Sequence, residues 1–294
     1  MTRERTRTAL LFLLPGAAIY GVFVLWPISQ SLVYSFFRWN GLTPLTDFVG
    51  LDNYQKLVSD PVIWKALGNN VLVIVWSLLT QLPLGLGLAI LVTGKLKGTN
   101  FFRMIYFAPM MMSEVIIAVL WAWIYNPSFG LINSLLRVLG IGQFSQTWLG
   151  DPNMAIVAVL IVTTWRYAGF YMVIFIAAIN GIPANLYEAA RIDGASSWQL
   201  TRNITLPLLR PMLRTVTVLV IVGSLRFFDL VWVMTEGGPG SASEVLATYM
   251  YKQAFRSQYW GYGSAVAVLM FFIAFLLAVV FIRATRARQE SALA

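Results

Sequence analysis

Neither cysteine nor histidine occurs anywhere in the 294 residues. The first absence excludes disulfides, thiol nucleophiles and thiolate-held zinc or iron–sulfur centres. The second removes the commonest general base and the commonest metal ligand. Charge is scarce as well: Asp, Glu, Lys and Arg make up 11% of the chain, against about a quarter in an ordinary soluble domain. Nothing in what remains resembles a catalytic constellation, and no metal site is expected.

What the chain has instead is apolar length. Hydrophobic residues form 59% of it, and the mean hydropathy is +0.73. Six stretches reach the roughly 20 residues that cross a bilayer: Ala9–Phe37, Val71–Val92, Met104–Tyr125, Met154–Ile179, Met212–Met234 and Ala265–Ile282. A buried helix of a soluble protein accounts for any one of these, but not for six in series. Arg3, Arg5 and Arg7 ahead of "ALLFLLPGAAIYG" suggest a signal peptide. The apolar run, however, continues past an h-region of about 7–15 residues and reads as a retained span. The expected fold is all-α, one polytopic membrane domain of six transmembrane helices over residues 1–294.

The net charge of +9 raises the question of nucleic acid, and the placement of the charges answers it. With the amino terminus in the cytoplasm, the cytoplasmic segments hold Arg3, Arg5, Arg7, Lys95, Lys97, Arg103, Arg191, Arg202, Arg210, Arg214, Arg283, Arg286 and Arg288. The outer loops hold only Arg38, Lys56, Lys65, Arg137, Lys252 and Arg256. This bias places both termini in the cytoplasm by the positive-inside rule. No nucleic acid is needed to explain the charge.

One segment interrupts the apolar pattern: "NLYEAARIDGASSWQLTRNITLPLLRP", Asn185 to Pro211. Pro183, Asn185 and Glu188 favour a helix start, and Gly194 can supply a left-handed C-terminal cap. Ser196 and Gln199 make the S-x-x-Q capping-box pattern of a second helix running toward Thr205. Pro207 and Pro211 limit that helix and mark entry to the next span. A helix-turn-helix DNA reader fits the spacing of Ala190, Gly194 and Leu200, but no third helix is available to build its core. The alternatives are a connector lying on the lipid surface and a rigid knob on the cytoplasmic face. In the knob, Ala189, Ala190, Gly194 and Ala195 would admit a partner close to the backbone, with Glu188, Arg191 and Asp193 as charged contacts at the rim.

"EAARIDGASSWQLTRNITLPLLRP" resembles the EAA loop of permease subunits of binding-protein-dependent ABC importers. Glu188, Ala189, Ala190, Gly194, Ile204, Leu206 and Pro207 match its pattern. "VFVLWPISQSLVYSFFRWNG", "FVGLDNYQKLVSDPVIWKALGNN" and "FFDLVWVMTEGGPGSASEVLATYMYKQAF" extend the similarity over nearly the whole chain. They are most similar to the subunit type of the maltose, lactose and glycerol-3-phosphate systems that carries a Gly-Gly-Pro outer loop. The resemblance implies a type I importer permease in a bacterial or archaeal cytoplasmic membrane. It also implies pairing with a second related permease, two ATPase subunits and an extracytoplasmic solute-binding protein. The EAA helix would dock on the ATPase, whose closure on ATP turns the permeases outward-facing.

No ATPase is expected in the chain itself. Its nearest approach to a phosphate loop, "AILVTGKL" from Ala89 to Leu96, lacks the leading glycine and the Ser/Thr after Lys95 that such a loop needs. No cofactor is expected on this chain, and ATP with Mg would be used by the partner ATPase subunits. Polar residues within spans are costly and face a cavity or a partner. Arg226 and Asp229, three apart on the fifth span, share a helix face and are candidates to pair. Arg166 and Glu114 are the other buried candidates. Structural pairing is one reading of these four; a hydrophilic path for carbohydrate is the other, and the resemblance adds weight to it at Phe227–Asp229. Phe227, Phe228 and Trp232 would offer aromatic faces at that level.

Pro83 and Pro109 are candidate bends, with Gln81 nearby, and Met110, Met111 and Met112 read as adaptable packing. After the fifth span, Gly237, Gly238 and Pro239 open a flexible turn ending at Gly240, followed by a helix from about Ser243. That segment is either a plain connector, or a contact with the binding protein or a gate of the outer mouth. A secondary, ion-coupled transporter is the rival function, but it would ordinarily show internal repeats and coupling-ion sites near the midplane. No clear repeat is present, and carboxylates within the spans are few.

Overall fold

The computed structural model describes residues 3–94 and 98–290, with side chains at 12–94, 98–280 and 283. Lys95 and Lys97, and the side chains of Arg3, Arg5, Arg7, Arg286 and Arg288, lie outside the described residues. Among those described, every regular element is helical, and one isolated antiparallel bridge joins Phe37 to Phe48. Four helices are long and apolar enough to cross a membrane, and six when each sharply bent pair counts as one span. The chain divides into two compact units: residues 1–63 with 249–273, and 64–248 with 274–294.

In the first unit, α1 (Arg3–Tyr20, continued through a π-turn at Gly21–Leu25 to Trp26–Tyr34) holds the first span. None of its apolar window, Phe12–Tyr34, is buried within the chain. The short α2 (Asp52–Ser59) is fastened to the end of α1. Asn53 Nδ2 donates to the Ser35 and Phe37 carbonyls at 2.9 and 3.0 Å, and the Tyr54 and Ser35 hydroxyls share a bond of 2.6 Å. Gly261 is required where its segment passes Phe37, because a Cβ there would lie 1.9 Å from the Phe37 carbonyl oxygen.

The second span is α3 (Pro61–Thr93), a continuous helix of 33 residues, about 50 Å long at 1.5 Å per residue. It starts well before the expected Val71. Pro61 opens it with no N–H to waste, and Asp60 Oδ1 accepts the Val62 N–H at 2.9 Å. Hydropathy alone misses these first turns because they carry Lys65, Asn69 and Asn70. Pro83 does not break α3.

The third span is not one straight helix. α4 (Thr99–Met111) and α5 (Glu114–Ile124) meet at an angle of 99°. Pro109 cannot donate to the preceding turn, and Met112 and Ser113 adopt extended backbone with ψ of 149° and 141°. A short helix α6 (Leu131–Val138) follows, then α7 (Ala155–Asn180), the most deeply buried of the span helices. Lipid tails are as apolar as leucine, so close packing rather than water exclusion holds such helices together. The small residues are placed accordingly. A Cβ on Gly169 of α7 would lie 1.8 Å from the Tyr106 carbonyl oxygen of α4, and one on Gly85 of α3 would lie 2.7 Å from Tyr171 Cβ.

The interrupting segment forms α8 (Ala184–Ile192) and α9 (Ser197–Leu208), the latter with a π-turn at Thr201–Thr205. α9 ends at Leu208, between its expected limits Pro207 and Pro211, and meets α10 (Arg210–Leu225) at 64°. The expected fifth span, Met212–Met234, is broken: Arg226 ends α10, Phe228 has φ −132° and ψ −60°, and α11 (Asp229–Thr235) begins afresh. α12 (Leu246–Tyr251) and α13 (Trp260–Glu290) complete the chain.

Candidate functional site

The bend between α4 and α5 has a chemical consequence. It makes Glu114 the first residue of α5, where the helix dipole favours a carboxylate. Arg166 of α7 brings its Nη1 to 3.2 Å from Glu114 Oε1, with only 8% of the arginine side chain and 22% of the glutamate exposed. The Tyr167 hydroxyl donates to the same oxygen at 2.7 Å. Arg166 Nε and Nη1 have no aligned hydrogen bond, so the attraction is ionic. Asp229 also acts electrostatically on Arg166.

The structure therefore brings together Glu114 and Arg166, two of the four charged candidates. It does not join Arg226 to Asp229. No ion pair links them among the described residues, and the shared helix face expected from their spacing does not exist, because the chain between them is non-helical. Both side chains are exposed on this chain.

Beside the buried pair, α3, α4, α7 and α10 enclose a cavity of about 220 Å³. Its polar lining comes from Ser77, Gln81, Thr163, Tyr167 and Ser224, and Phe227 closes one side. Gln81 Nε2 donates to Ser77 Oγ at 3.0 Å. Of the three aromatic candidates only Phe227 reaches this cavity. Phe228 stacks instead on Trp232, centroids 5.6 Å apart and planes within 12°. Ser77, Thr163, Tyr167 and Ser224 were not singled out from the sequence. The available signal was the polar pair Ser77 and Gln81 at i, i+4 on an otherwise greasy helix.

The interrupting segment folds as two short helices joined at Gly194. Gly194 has φ of +80°, as its place between two helices demands. Ser196 completes a capping box: its Oγ accepts the Gln199 N–H, and its own N–H donates to Gln199 Oε1 at 2.7 Å. Tyr187 and Thr205 share a hydroxyl bond of 2.9 Å that ties α8 to α9. Glu188, Ala189, Arg191, Asp193 and Gly194 are exposed, and Ala190 is half-buried. Two apolar side chains overlooked in the sequence stand out on the same segment, Ile192 at 87% and Trp198 at 66% exposure.

The Gly-Gly-Pro segment is pinned rather than loose. Lys65 Nζ donates to the Gly240 carbonyl at 3.1 Å, and Asn69 Nδ2 donates to those of Ala242 and Glu244 at 2.9 and 2.8 Å. Asn70 accepts the Leu246 N–H at 2.9 Å and donates to the Ser224 carbonyl at 3.1 Å, so one amide joins the end of α10 to the start of α12. A Cβ on Gly237 would lie 2.5 Å from Glu244 Oε2. Gly237 is buried, while Gly238 and Pro239 are half-buried. The helix starts at Leu246 rather than Ser243, the Val245 N–H being taken by Thr248 Oγ1.

The family model described as binding-protein-dependent transport system inner membrane component matches residues 81–290. A probable ABC transporter permease protein of Pyrococcus horikoshii is 40% identical over 268 residues, 91% of this chain and 92% of that one. The diacetylchitobiose uptake system permease protein NgcF of Streptomyces coelicolor is 36% identical over 281 residues, 92% of this chain and 80% of its own. Among solved structures, a chain of the bacterial alginate ABC transporter in complex with alginate pentasaccharide-bound periplasmic protein superposes with a TM-score of 0.85. It is 22% identical, with 97% of this chain and 96% of that chain covered. This likeness shows that the two share a fold.

Proposed function

The chain belongs to the binding-protein-dependent transport system inner membrane components, and we propose that it is the permease subunit of an ATP-driven importer of a carbohydrate. The observation that carries the reading is the exposed knob, Glu188–Gly194 with Ile192 and Trp198, whose small, charged and apolar groups suit a protein partner. That partner is an ATPase subunit, of which two would serve a pair of related permeases. They supply the ATP and Mg chemistry, since the segment from Ala89 to Leu96 lacks the features of a phosphate loop. The substrate class rests on similarity to the diacetylchitobiose permease and on the polar and aromatic lining at Phe227.

In this reading the whole chain acts as one permease domain with both termini cytoplasmic. Glu114 and Arg166 brace the bent third span, while Arg226, Phe227, Phe228, Asp229 and Trp232 mark the level of the path at the break in the fifth. Arg226 and Asp229, exposed on this chain, face the second permease across the path. Gly237, Gly238 and Pro239 set the segment that meets the solute-binding protein.

Proteoliposomes containing the four membrane subunits and the binding protein test the proposal. Sugar uptake should require ATP, the binding protein and every subunit, and this chain alone should hydrolyse no ATP. Uptake by this chain alone, driven by an ion gradient, would establish the secondary-transporter reading instead.

A further inference from the structure

We infer that a second, separate saccharide site lies within residues 38–63 and 249–273, built by α2 and the first turns of α13, and that it takes one neutral sugar unit. The inference rests on the carbohydrate reading above for its ligand class. α2 and the start of α13 enclose a pocket of about 400 Å³, within the 300–1,000 Å³ typical of small-molecule sites. Trp39, Asp52, Asn53, Lys56, Tyr259 and Tyr262 line it, none of them shared with the cavity at Phe227.

The walls are prearranged. Asn53 is committed to two backbone carbonyls of the preceding segment, and Trp39 Nε1 donates to the Thr43 carbonyl at 2.6 Å. Trp39 lies between Tyr34 and Trp260, with centroids 4.5 and 6.0 Å away. Gly41, at φ +86°, rests against the Trp260 indole so closely that a Cβ would come within 2.5 Å of its nitrogen. Tyr259 is carried into the pocket by Gln258, a non-glycine residue at φ +57°. Such a conformation is strained for a residue with a side chain and clusters at ligand sites. Fixed walls of this kind reduce the ordering cost of binding.

Charge decides the kind of ligand. Lys56 Nζ lies over the Tyr262 ring at 4.4 Å and the Tyr259 ring at 5.1 Å, and it acts electrostatically on Asp60. Arg38 faces Asp47 at 3.9 Å. Asp60 lies within electrostatic reach of Lys56, Arg38 faces Asp47, and Asp52 adds a further negative charge, so carboxylates offset the two cations and the pocket is no trap for anions. What it offers is a carboxylate acceptor, an ammonium donor and the half-exposed ring of Tyr259. A pyranose meets that set with hydroxyls at its edge and C–H groups on its face. In the orientation proposed above the pocket opens outward, where it would stage a sugar released by the binding protein.

The test uses the full-length chain in lipid nanodiscs, with methyl β-glucoside as the neutral probe and methyl β-glucuronide as the acidic one. Saturation-transfer NMR should detect the glucoside on the wild type. Affinity should fall about tenfold or more in Tyr259→Ala and in Lys56→Gln, equivalent to about 1.4 kcal/mol. It should be unchanged in Val138→Ser, an exposed position that lines neither cavity. No transfer in the wild type, equal affinity in the pocket variants, or tenfold preference for the glucuronide would overturn the inference. Uptake by the reconstituted complex is read separately. Sugar transport without binding at this pocket removes the second site alone, whereas binding here without ATP-driven uptake removes the importer reading alone.

Discussion

Arg166 of α7 stands 3.2 Å from Glu114 of α5, and the contact exists only because the third span turns through 99° immediately before Glu114. A straight helix from Met104 to Tyr125 would continue past that point and would not begin a new helix at the carboxylate. The pair therefore braces a bend, and breaking it has a defined cost.

Removing one partner of a buried ion pair leaves the other uncompensated, a loss of roughly 3–5 kcal/mol. Glu114→Ala should lower the thermal stability of the purified chain strongly, through the stranded Arg166. Glu114→Gln combined with Arg166→Met should recover much of it, because no charge is then left unpaired. Thermal melts of the three variants in one detergent check this; a double variant as unstable as Glu114→Ala would show that the pair does not act as a unit.

The knob can be tested without touching a span. A Cβ at Gly194 would meet nothing within 4 Å, so substitution there is opposed by φ alone. Gly194→Asn should be tolerated better than Gly194→Val, because asparagine enters the left-handed region more readily than a β-branched residue. Glu188→Lys reverses a rim charge and should insert normally yet uncouple ATP hydrolysis from sugar uptake. Insertion, ATPase co-purification and uptake measured on the same variants decide it. Normal uptake in both Gly194→Val and Glu188→Lys would make the segment a surface connector.

Asp229 is exposed at the start of α11 and acts electrostatically on Arg166 of α7. Asp229→Asn keeps its size while removing the charge, and should reduce sugar uptake with the complex still assembling. Loss of assembly would assign Asp229 to subunit pairing instead.

Asp60 supplies a pH dependence. Burial raises its pKa, but hydrogen bonds from Tyr249, Tyr262 and the Val62 N–H, with the charge of Lys56, together hold it below the usual 3.8. A depressed carboxylate contributes stability that is complete above its unfolded value and fades as pH falls through its folded one. The wild type should thus lose melting temperature below about pH 4 more steeply than Asp60→Asn, whose side chain does not titrate. Melting curves from pH 6 down to pH 3 check the sign; parallel curves would remove Asp60 from the account.

How much of this was legible in the chain follows the range of the interactions. Membership of the membrane class, the six apolar stretches and the helix pair of the interrupting segment were all readable, because span length, the left-handed glycine and the Ser196–Gln199 box are local properties. Hydropathy has no memory of direction, so it could not see that Met112 and Ser113 bend one stretch or that Phe228 breaks another. Those two breaks separated Arg226 from Asp229 and gave Arg166 to Glu114 instead. The partners of Lys65, Asn69 and Asn70 on the Gly-Gly-Pro segment, and the meeting of α2 with the start of α13, join residues far apart in sequence. The sequence determined which segments are apolar enough to cross and where the polar helix pair interrupts them. Only the tertiary structure decided which polar groups meet, because pairing across helices depends on the angle and register of packed elements, and neither is encoded in one helix alone.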